Sequence, residues 1–262
     1  MPNAHARFVR TALAASSLVF SLSLGCAAPR TQAPPLTEAP AAPEATASST
    51  RLVALLSMQQ GFGPDDQDAY EARIAPIAHD HGMARRAAYT VQQAMGAPDS
   101  TISTVGVWQL ATPGTLQEVM GDARYQAQIP TRDKVHDLAS SELYLTEEVQ
   151  TAGAPPEGHV LLVGRLVMKP GFSFEDHEAY ERSIQPILER HGMRASRSFK
   201  ITKVLGGPEH AVAIVLWELP RAEAFAEVLG DPEYQTHVAE RDRLHDMAAT
   251  QLFFVSARED RR

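Results

Sequence analysis

The sequence has little cysteine, no long apolar run and no excess of basic residues. One of its 262 residues is cysteine, which excludes intrachain disulfides and zinc sites built from several cysteines. No apolar run approaches the roughly 18 residues that a membrane-spanning helix needs. The 24 Lys and Arg residues are outnumbered by 32 Asp and Glu, giving a net charge of −8. Such a balance argues against nucleic acid as a partner, because phosphates require a basic face.

Several catalytic motifs are also missing. The sequence has no serine nucleophile elbow, no phosphate-binding glycine loop and no Cys-x-x-Cys-His motif for haem attachment. It therefore predicts no cofactor, although a noncovalent haem held by one histidine remains open.

The N-terminus has the pattern of a secretory signal sequence. Arg7 and Arg10 precede a short apolar stretch, residues 11–25, which ends in small residues. Its last residues, Leu-Ser-Leu-Gly before Cys26, resemble a bacterial lipobox, in which the cysteine is lipidated and becomes the mature N-terminus. We therefore expect a lipoprotein signal peptide over residues 1–25. The alternative is an ordinary cleaved signal with an incidental cysteine.

The segment after the signal is predicted to be a tether. Residues 26–50 are rich in Ala, Pro, Thr and Ser and show no apolar periodicity. Acyl chains on Cys26 would anchor the protein stably in the lipid bilayer of the cell envelope. Because Ala27 rather than Asp follows the cysteine, we expect the outer membrane, with the folded part facing the periplasm.

The rest of the chain contains one unit twice. The matching segments lie 110 residues apart, and 109 after one deletion. They include Gly61-Phe62 with Gly171-Phe172, His81-Gly82-Met83 with His191-Gly192-Met193, Trp108 with Trp217, and Tyr125-Gln126 with Tyr234-Gln235. We place the first repeat at residues 51–149, a linker at 150–158, the second repeat at 159–257 and a charged tail at 258–262. Repeats this small are marginal alone, which predicts a monomer whose repeats pack as an internal pseudo-dimer.

Each repeat is predicted to fold as βαββαβ, the ferredoxin-like arrangement of the α+β class. Apolar β-compatible runs alternate with segments of helical spacing. His-Gly pairs at residues 81–82 and 191–192 are typical of helix ends. Pro76 and Pro186 lie inside the first predicted helix of each repeat, where a kink is expected.

The repeats resemble the dimeric α/β-barrel superfamily. The resemblance rests on Pro-x-x-x-x-His-Gly at the helix end, a Gly-Pro turn, a Trp-bearing strand and Asp-x-x-Tyr-Gln-x-x-x-x-x-Arg before the last strand. Within the superfamily, the repeats are most similar to the domain of unknown function family 1330. The resemblance implies a barrel closed by the two sheets of one chain. It implies no single activity, since the superfamily includes monooxygenases, isomerases, haem enzymes and members without known activity.

The candidate site residues recur in both repeats. Tyr, an apolar residue, Arg and His follow at i, i+4, i+7 and i+11, which predicts one shared helix face. They are Tyr125, Ile129, Arg132 and His136, and Tyr234, Val238, Arg241 and His245. One interpretation is an Arg that binds a ligand carboxylate or enolate oxygen and a His that accepts a proton. The other is a structural Arg paired with an acid such as Asp133 or Asp242, beside a half-buried His.

Other candidates are weaker. His81 and His191 are explained as partners of the negative helix end, and a catalytic role for them is the alternative. Asp133 and Asp137, one helical turn apart beside His136, could contribute to a metal site, but no second His lies near, and no metal is predicted.

Two functions remain open from the sequence. The first is a noncatalytic envelope lipoprotein whose barrel binds a small ligand or a partner. The second is a cofactor-independent or haem-dependent enzyme of the barrel superfamily that acts on a small oxygenated or aromatic metabolite. A barrel lined only by apolar side chains would favour the first, and an Arg–His pair at an open pocket the second.

Overall fold

A computed structural model describes residues 49–96, 99–151 and 156–258, which belong to one compact unit. The predicted signal sequence, Cys26, the tether up to residue 48 and the tail beyond residue 258 lie outside the described residues. In the described ranges, no helix is long and apolar enough to cross a membrane.

The first repeat has four strands and four helices. In chain order they are β1 (Thr50–Met58), α1 (Pro64–Asp80), β2 (Met83–Met95), β3 (Ile102–Leu110), α2 (Thr115–Gly121), α3 (Ala123–Gln126), α4 (Ile129–Val135) and β4 (His136–Thr151).

The second repeat has the same order with one helix fewer. Its elements are β5 (Val160–Val167), α5 (Phe174–Arg190), β6 (Arg194–Gly206), β7 (Ala211–Leu219), α6 (Glu223–Gly230), α7 (Pro232–Leu244) and β8 (Gln251–Ala257). The two repeats therefore have the predicted ferredoxin-like arrangement.

The eight strands close into one antiparallel barrel in the order β1-β3-β2-β8-β5-β7-β6-β4. Pairing of β2 with β8 and of β4 with β6 joins the two repeats. Alternate side chains point into the barrel and outward under the helices. The structure thus confirms the predicted α+β fold, in which two repeats of one chain form the barrel.

Short capping motifs fix the ends of the long helices. Ser173 and Asp176 form a capping box at the start of α5. Gly82 and Gly192 have φ of 74° and 73° just after α1 and α5, the left-handed conformation that favours glycine. The helices continue on both sides of Pro76 and Pro186, so neither proline ends its helix.

The predicted shared helix face exists in only one repeat. Helix α7 runs unbroken, and the side chain of Asp231 caps it by accepting from the backbone N–H of Glu233. In the first repeat the corresponding segment is split into α3 and α4, with Pro130 in the first turn of α4. Proline lacks the N–H that would continue α3 and clashes with the preceding turn, whereas the second repeat has Ala239 at this position.

Candidate active site in the second repeat

A pocket of about 270 Å³ lies between the helices and the sheet of the second repeat. Its apolar wall includes Leu166, Ile184, Leu188, Trp217, Phe225 and Leu252. Its polar groups are His177, Tyr180, Glu181, Tyr234, Arg241 and His245. Met95 from the first repeat also lines it. A mostly apolar cavity with a few convergent polar groups is typical of small-molecule sites.

Two helices bring the polar groups together. Helix α5 contributes His177, Tyr180 and Glu181, which lie at i, i+3 and i+4 and hence on one face. Helix α7 contributes Tyr234 and Arg241 from the opposite side of the pocket. The pocket therefore combines the predicted α7 face with an α5 face that the sequence analysis had not singled out.

His245 differs from the prediction in its position. It is the C-cap of α7 and forms a β-bridge with Met168, so it stands at the turn from helix to sheet. There its side chain is buried and still meets the pocket. His136 occupies the equivalent place, as the C-cap of α4 and first residue of β4.

A chain of hydrogen bonds links two histidines to a carboxylate. His245 Nδ1 lies 3.2 Å from the backbone oxygen of Arg241. Because a carbonyl only accepts, this nitrogen carries the proton and His245 Nε2 is an acceptor. His177 Nδ1, 3.3 Å from that Nε2, is then the donor. His177 Nε2 in turn lies 3.4 Å from Glu181 Oε2.

The last link of this chain is incomplete. His177 Nε2 is buried and has no hydrogen-bond partner among the described residues, although it lies within ion-pair distance of Glu181. A proton on Nε2 makes His177 a cation beside a carboxylate, and without it Nε2 is an acceptor that faces that carboxylate.

His245 is held in the neutral form. Burial, followed by the charge of the adjacent His177, lowers the pKa of His245 to about 4. Neutral His245 fixes the orientation of His177 by accepting a hydrogen bond from its Nδ1–H. The His177–Glu181 pair forms the other end of the chain of contacts.

Tyrosines and an arginine form the other side of the pocket. Arg241 Nη1 donates to the hydroxyl of Tyr234 over 3.4 Å. The hydroxyl of Tyr180 is buried without a hydrogen-bond partner in the described part of the chain. Burial, and secondly the neighbouring Tyr234, raises the pKa of Tyr180, so this phenol remains a proton donor. The Tyr180 hydroxyl, a buried donor in an apolar pocket, suits a ligand oxygen.

The equivalent side chains of the first repeat are bonded differently. Gln67 takes the place of His177, is hydrogen-bonded to His136 and donates to Glu71 Oε1 over 2.5 Å. Arg85 forms an ion pair with Glu71, whereas the second repeat has Ala195 at that position. An amide does not ionise and the carboxylate already has an Arg, so this chain cannot carry a proton to a ligand.

A family model matches the repeat that holds the pocket. Residues 173–256 match the family model described as "Domain of unknown function (DUF1330)". The second repeat is similar to this family. No curated protein matches the chain.

A solved structure supports the barrel fold, and two others are more distantly similar. An anthrone oxidase-like protein matches with 14% identity over 81% of this chain and 94% of its own, at a TM-score of 0.55. A mutant chlorite dismutase from Candidatus Nitrospira defluvii matches with 12% identity over 80% and 93%, at a TM-score of 0.47. A protein of unknown function from Rhodopseudomonas palustris is 24% identical over 37% and 80%, at 0.31. At these identities the likeness extends to the fold alone, which is the dimeric α/β barrel.

The remaining predicted residues lie outside the pocket of the second repeat. His81 and His191 follow the ends of α1 and α5, as predicted, and their Nε2 atoms bond to Asp122 at 3.0 Å and Asp231 at 2.8 Å. These contacts join the helices of each repeat. Tyr125 belongs to the short helix α3 of the first repeat.

Arg132 and Arg241 pair with Asp133 and Asp242, each at 2.8 Å. The two arginine side chains are 21% and 22% exposed. The pairs named in the structural interpretation are therefore present, and both are partly exposed. Arg241 therefore keeps donors for a ligand while it contacts its own acid.

The two pocket histidines do not fit the role of an axial haem ligand. Both ring nitrogens of His245 are engaged within the protein, and the free nitrogen of His177 faces a carboxylate. Among residues 49–96, 99–151 and 156–258, no group of three or more His, Cys, Asp or Glu side chains could hold a metal ion.

Proposed function

We propose that the second repeat is the active site of a proton-transfer enzyme that acts on a small aromatic molecule bearing a carbonyl oxygen. The observation that supports this most strongly is the unpartnered Nε2 of His177 beside Glu181 in an apolar pocket. Burying an unpaired polar atom costs free energy, and such groups in a cleft are candidate functional groups.

The pocket suits a ligand that is mostly apolar and flat. The rings of Trp217, Phe225 and Tyr180 contribute to its wall, and aromatic side chains favour stacked or edge-to-face contacts with another ring. Arg241 and the hydroxyl of Tyr234 are donors for one ligand oxygen. A bound aromatic ketone would thus place its oxygen toward α7 and its ring against the apolar wall.

Glu181 is proposed as the base. Its side chain is 19% exposed, against 4% for His177. The carboxylate removes a proton from the carbon next to the carbonyl, the electrons of the broken C–H bond form a C=C bond, and the carbonyl oxygen becomes an enolate. The positive charge of Arg241 stabilises that oxygen. Return of the proton to carbon, from Glu181 or through His177, completes an exchange or an isomerisation.

Solvent exchange tests this proposal without knowledge of the natural substrate. Acetophenone and other small aryl ketones are incubated with the protein in D₂O, and NMR follows loss of the proton signal next to the carbonyl. We expect exchange above the buffer rate, abolished by Glu181→Gln and unaffected by the matched control Glu71→Gln. Exchange that survives Glu181→Gln would contradict the proposal. Binding without exchange would instead support the noncatalytic ligand-binding function.

The site of action is also a proposal. The basic and apolar N-terminal pattern and the lipobox-like residues before Cys26 support anchoring in the cell envelope through acyl chains. In that arrangement, the barrel acts on molecules of the periplasm at the inner face of the outer membrane.

A further inference from the structure

The two tryptophans occupy equivalent strand positions but lie over different glycines. Trp108 on β3 lies beside Gly106 of its own strand, where an added Cβ would be 3.2 Å from the indole Nε1. Trp217 on β7 lies over Gly164 of the neighbouring strand β5, where an added Cβ would be 2.5 Å from Cζ3 and 2.9 Å from Cη2. The second approach leaves no room for any side chain.

The glycine near the tryptophan lies on the tryptophan's own strand in the first repeat and on the neighbouring strand in the second. The cross-strand pair under the indole is Ala54 with Gly106 in the first repeat. The corresponding pair is Gly164 with Val215 in the second. With Val215 on its own strand and glycine on the next, the indole of Trp217 packs toward β5.

This packing brings the indole to the acid of the pocket. Trp217 Nε1 donates to Glu181 Oε1 over 3.2 Å, while the other oxygen of Glu181 faces His177. The residue opposite Trp217 on β6 is Ala195. The residue opposite Trp108 is Arg85, whose guanidinium pairs with Glu71 instead.

We propose that Gly164 is the positioning residue that makes the second repeat the active one. Gly164 lets Trp217 pack toward β5, so that the indole forms part of the aromatic wall of the pocket. The indole N–H then points to Glu181 and holds its carboxylate next to His177. Ala195 contributes by leaving Glu181 without a competing Arg. The catalytic consequence of this inference rests on the proposed function, but the packing of Trp217 over Gly164 can be observed independently.

The indole N–H signals in NMR spectra report directly on the packing of Trp217. The chain contains 2 Trp, and the Trp108→Phe variant assigns their signals. We expect Glu181→Gln to shift the Trp217 indole signal and leave that of Trp108 in place. Gly164→Ala should shift the same signal and weaken acetophenone binding roughly tenfold or more, the scale for one methyl-sized change in a pocket. These shifts do not depend on turnover, so failure of the proton-exchange test alone leaves this result standing.

A compensated variant distinguishes the loss of this Trp217 packing from a general loss of structure. Gly164→Ala combined with Val215→Gly reproduces the first-repeat pair and should fold. Its Trp217 indole signal should no longer respond to Glu181→Gln, and acetophenone binding should remain weak. An unchanged Trp217 signal in either Gly164 variant, or wild-type binding in the compensated one, would overturn the proposal.

Discussion

His177 and His245 meet edge to face, with ring centroids 5.4 Å apart, an interplanar angle of 85° and Nδ1 of the first 3.3 Å from Nε2 of the second. The contact is buried and orients His177 in the proposed site of the second repeat. It also makes the stability of the fold depend on pH.

The first prediction is a loss of stability in mild acid. Burial lowers the pKa of His245 to about 4, against about 6.5 in an unfolded chain. As the pH falls, the unfolded chain binds this proton first, so the contribution is present above about pH 6.5 and is lost toward pH 4. From about pH 7 to about pH 5, the free energy of unfolding should fall by about 2 kcal/mol through this residue.

Urea denaturation at the two pH values measures this contribution. His245→Gln should be less stable at neutral pH and should show a flatter pH dependence than the parent by that amount. Parallel pH profiles for the variant and the parent would exclude His245 as the source.

The second prediction is that Arg132 and Arg241, which recur in the two repeats, differ in ligand binding but not in their effect on stability. Both Arg–Asp pairs are partly exposed, with acids that are about half-exposed, and such pairs contribute about 0–1 kcal/mol. Arg132→Ala and Arg241→Ala should therefore each lower the free energy of unfolding by about 1 kcal/mol or less. Only Arg241→Ala should abolish acetophenone binding, because Arg241 lines the pocket.

Chemical denaturation and ligand titration of the two variants check this. A loss of several kcal/mol in either variant would restore the structural interpretation of the arginines. Equal loss of binding in both would place the ligand elsewhere.

The third prediction concerns the dependence of each repeat on the other. Strands β2 and β8 pair across the repeats, as do β4 and β6. A repeat expressed alone exposes two strand edges and the inner face of its sheet, which favours association. We expect each half to form dimers or aggregates in light scattering and residues 51–257 to be monomeric. Two stable monomeric halves would contradict an obligatory pseudo-dimer.

The fold could be predicted because the repeats agree, and the site could not because they differ. Gly82 and Gly192, and Trp108 and Trp217, recur at fixed offsets and mark the same helix end and the same strand. The site analysis also selected residues that recur. It passed over His177 because its counterpart is Gln67, although His177 and Glu181 share the spacing of one helical turn.

Two physical effects were not visible in the residue pattern. The spacing of Tyr125 and His136 suggested a continuous helix, but Pro130 starts a new one. The first repeat has the pair Ala54 and Gly106 where the second has Gly164 and Val215. The effect of this difference on the tryptophans can be seen only when the strands are paired and the indole rings are placed over them.

The fourth prediction tests the envelope anchor. If the residues around Cys26 form a lipobox, Cys26→Ala should remove the acylation site and release the barrel from the membrane fraction, or leave the signal sequence uncleaved. Cell fractionation with mass spectrometry of the N-terminal peptide distinguishes these outcomes. Unchanged membrane association without acyl chains would exclude the lipoprotein interpretation.

The central claim is that the ligand binds in the pocket under α5 and α7, and methionine methyl NMR tests it most directly. Met95, Met193 and Met247 line the pocket, while Met83 and Met120 stand at first-repeat positions equivalent to Met193 and Leu229. On titration with acetophenone, the three pocket methyl signals should shift together and saturate, and those of Met83 and Met120 should stay in place. Equal shifts in both repeats, or shifts confined to the first, would contradict the account.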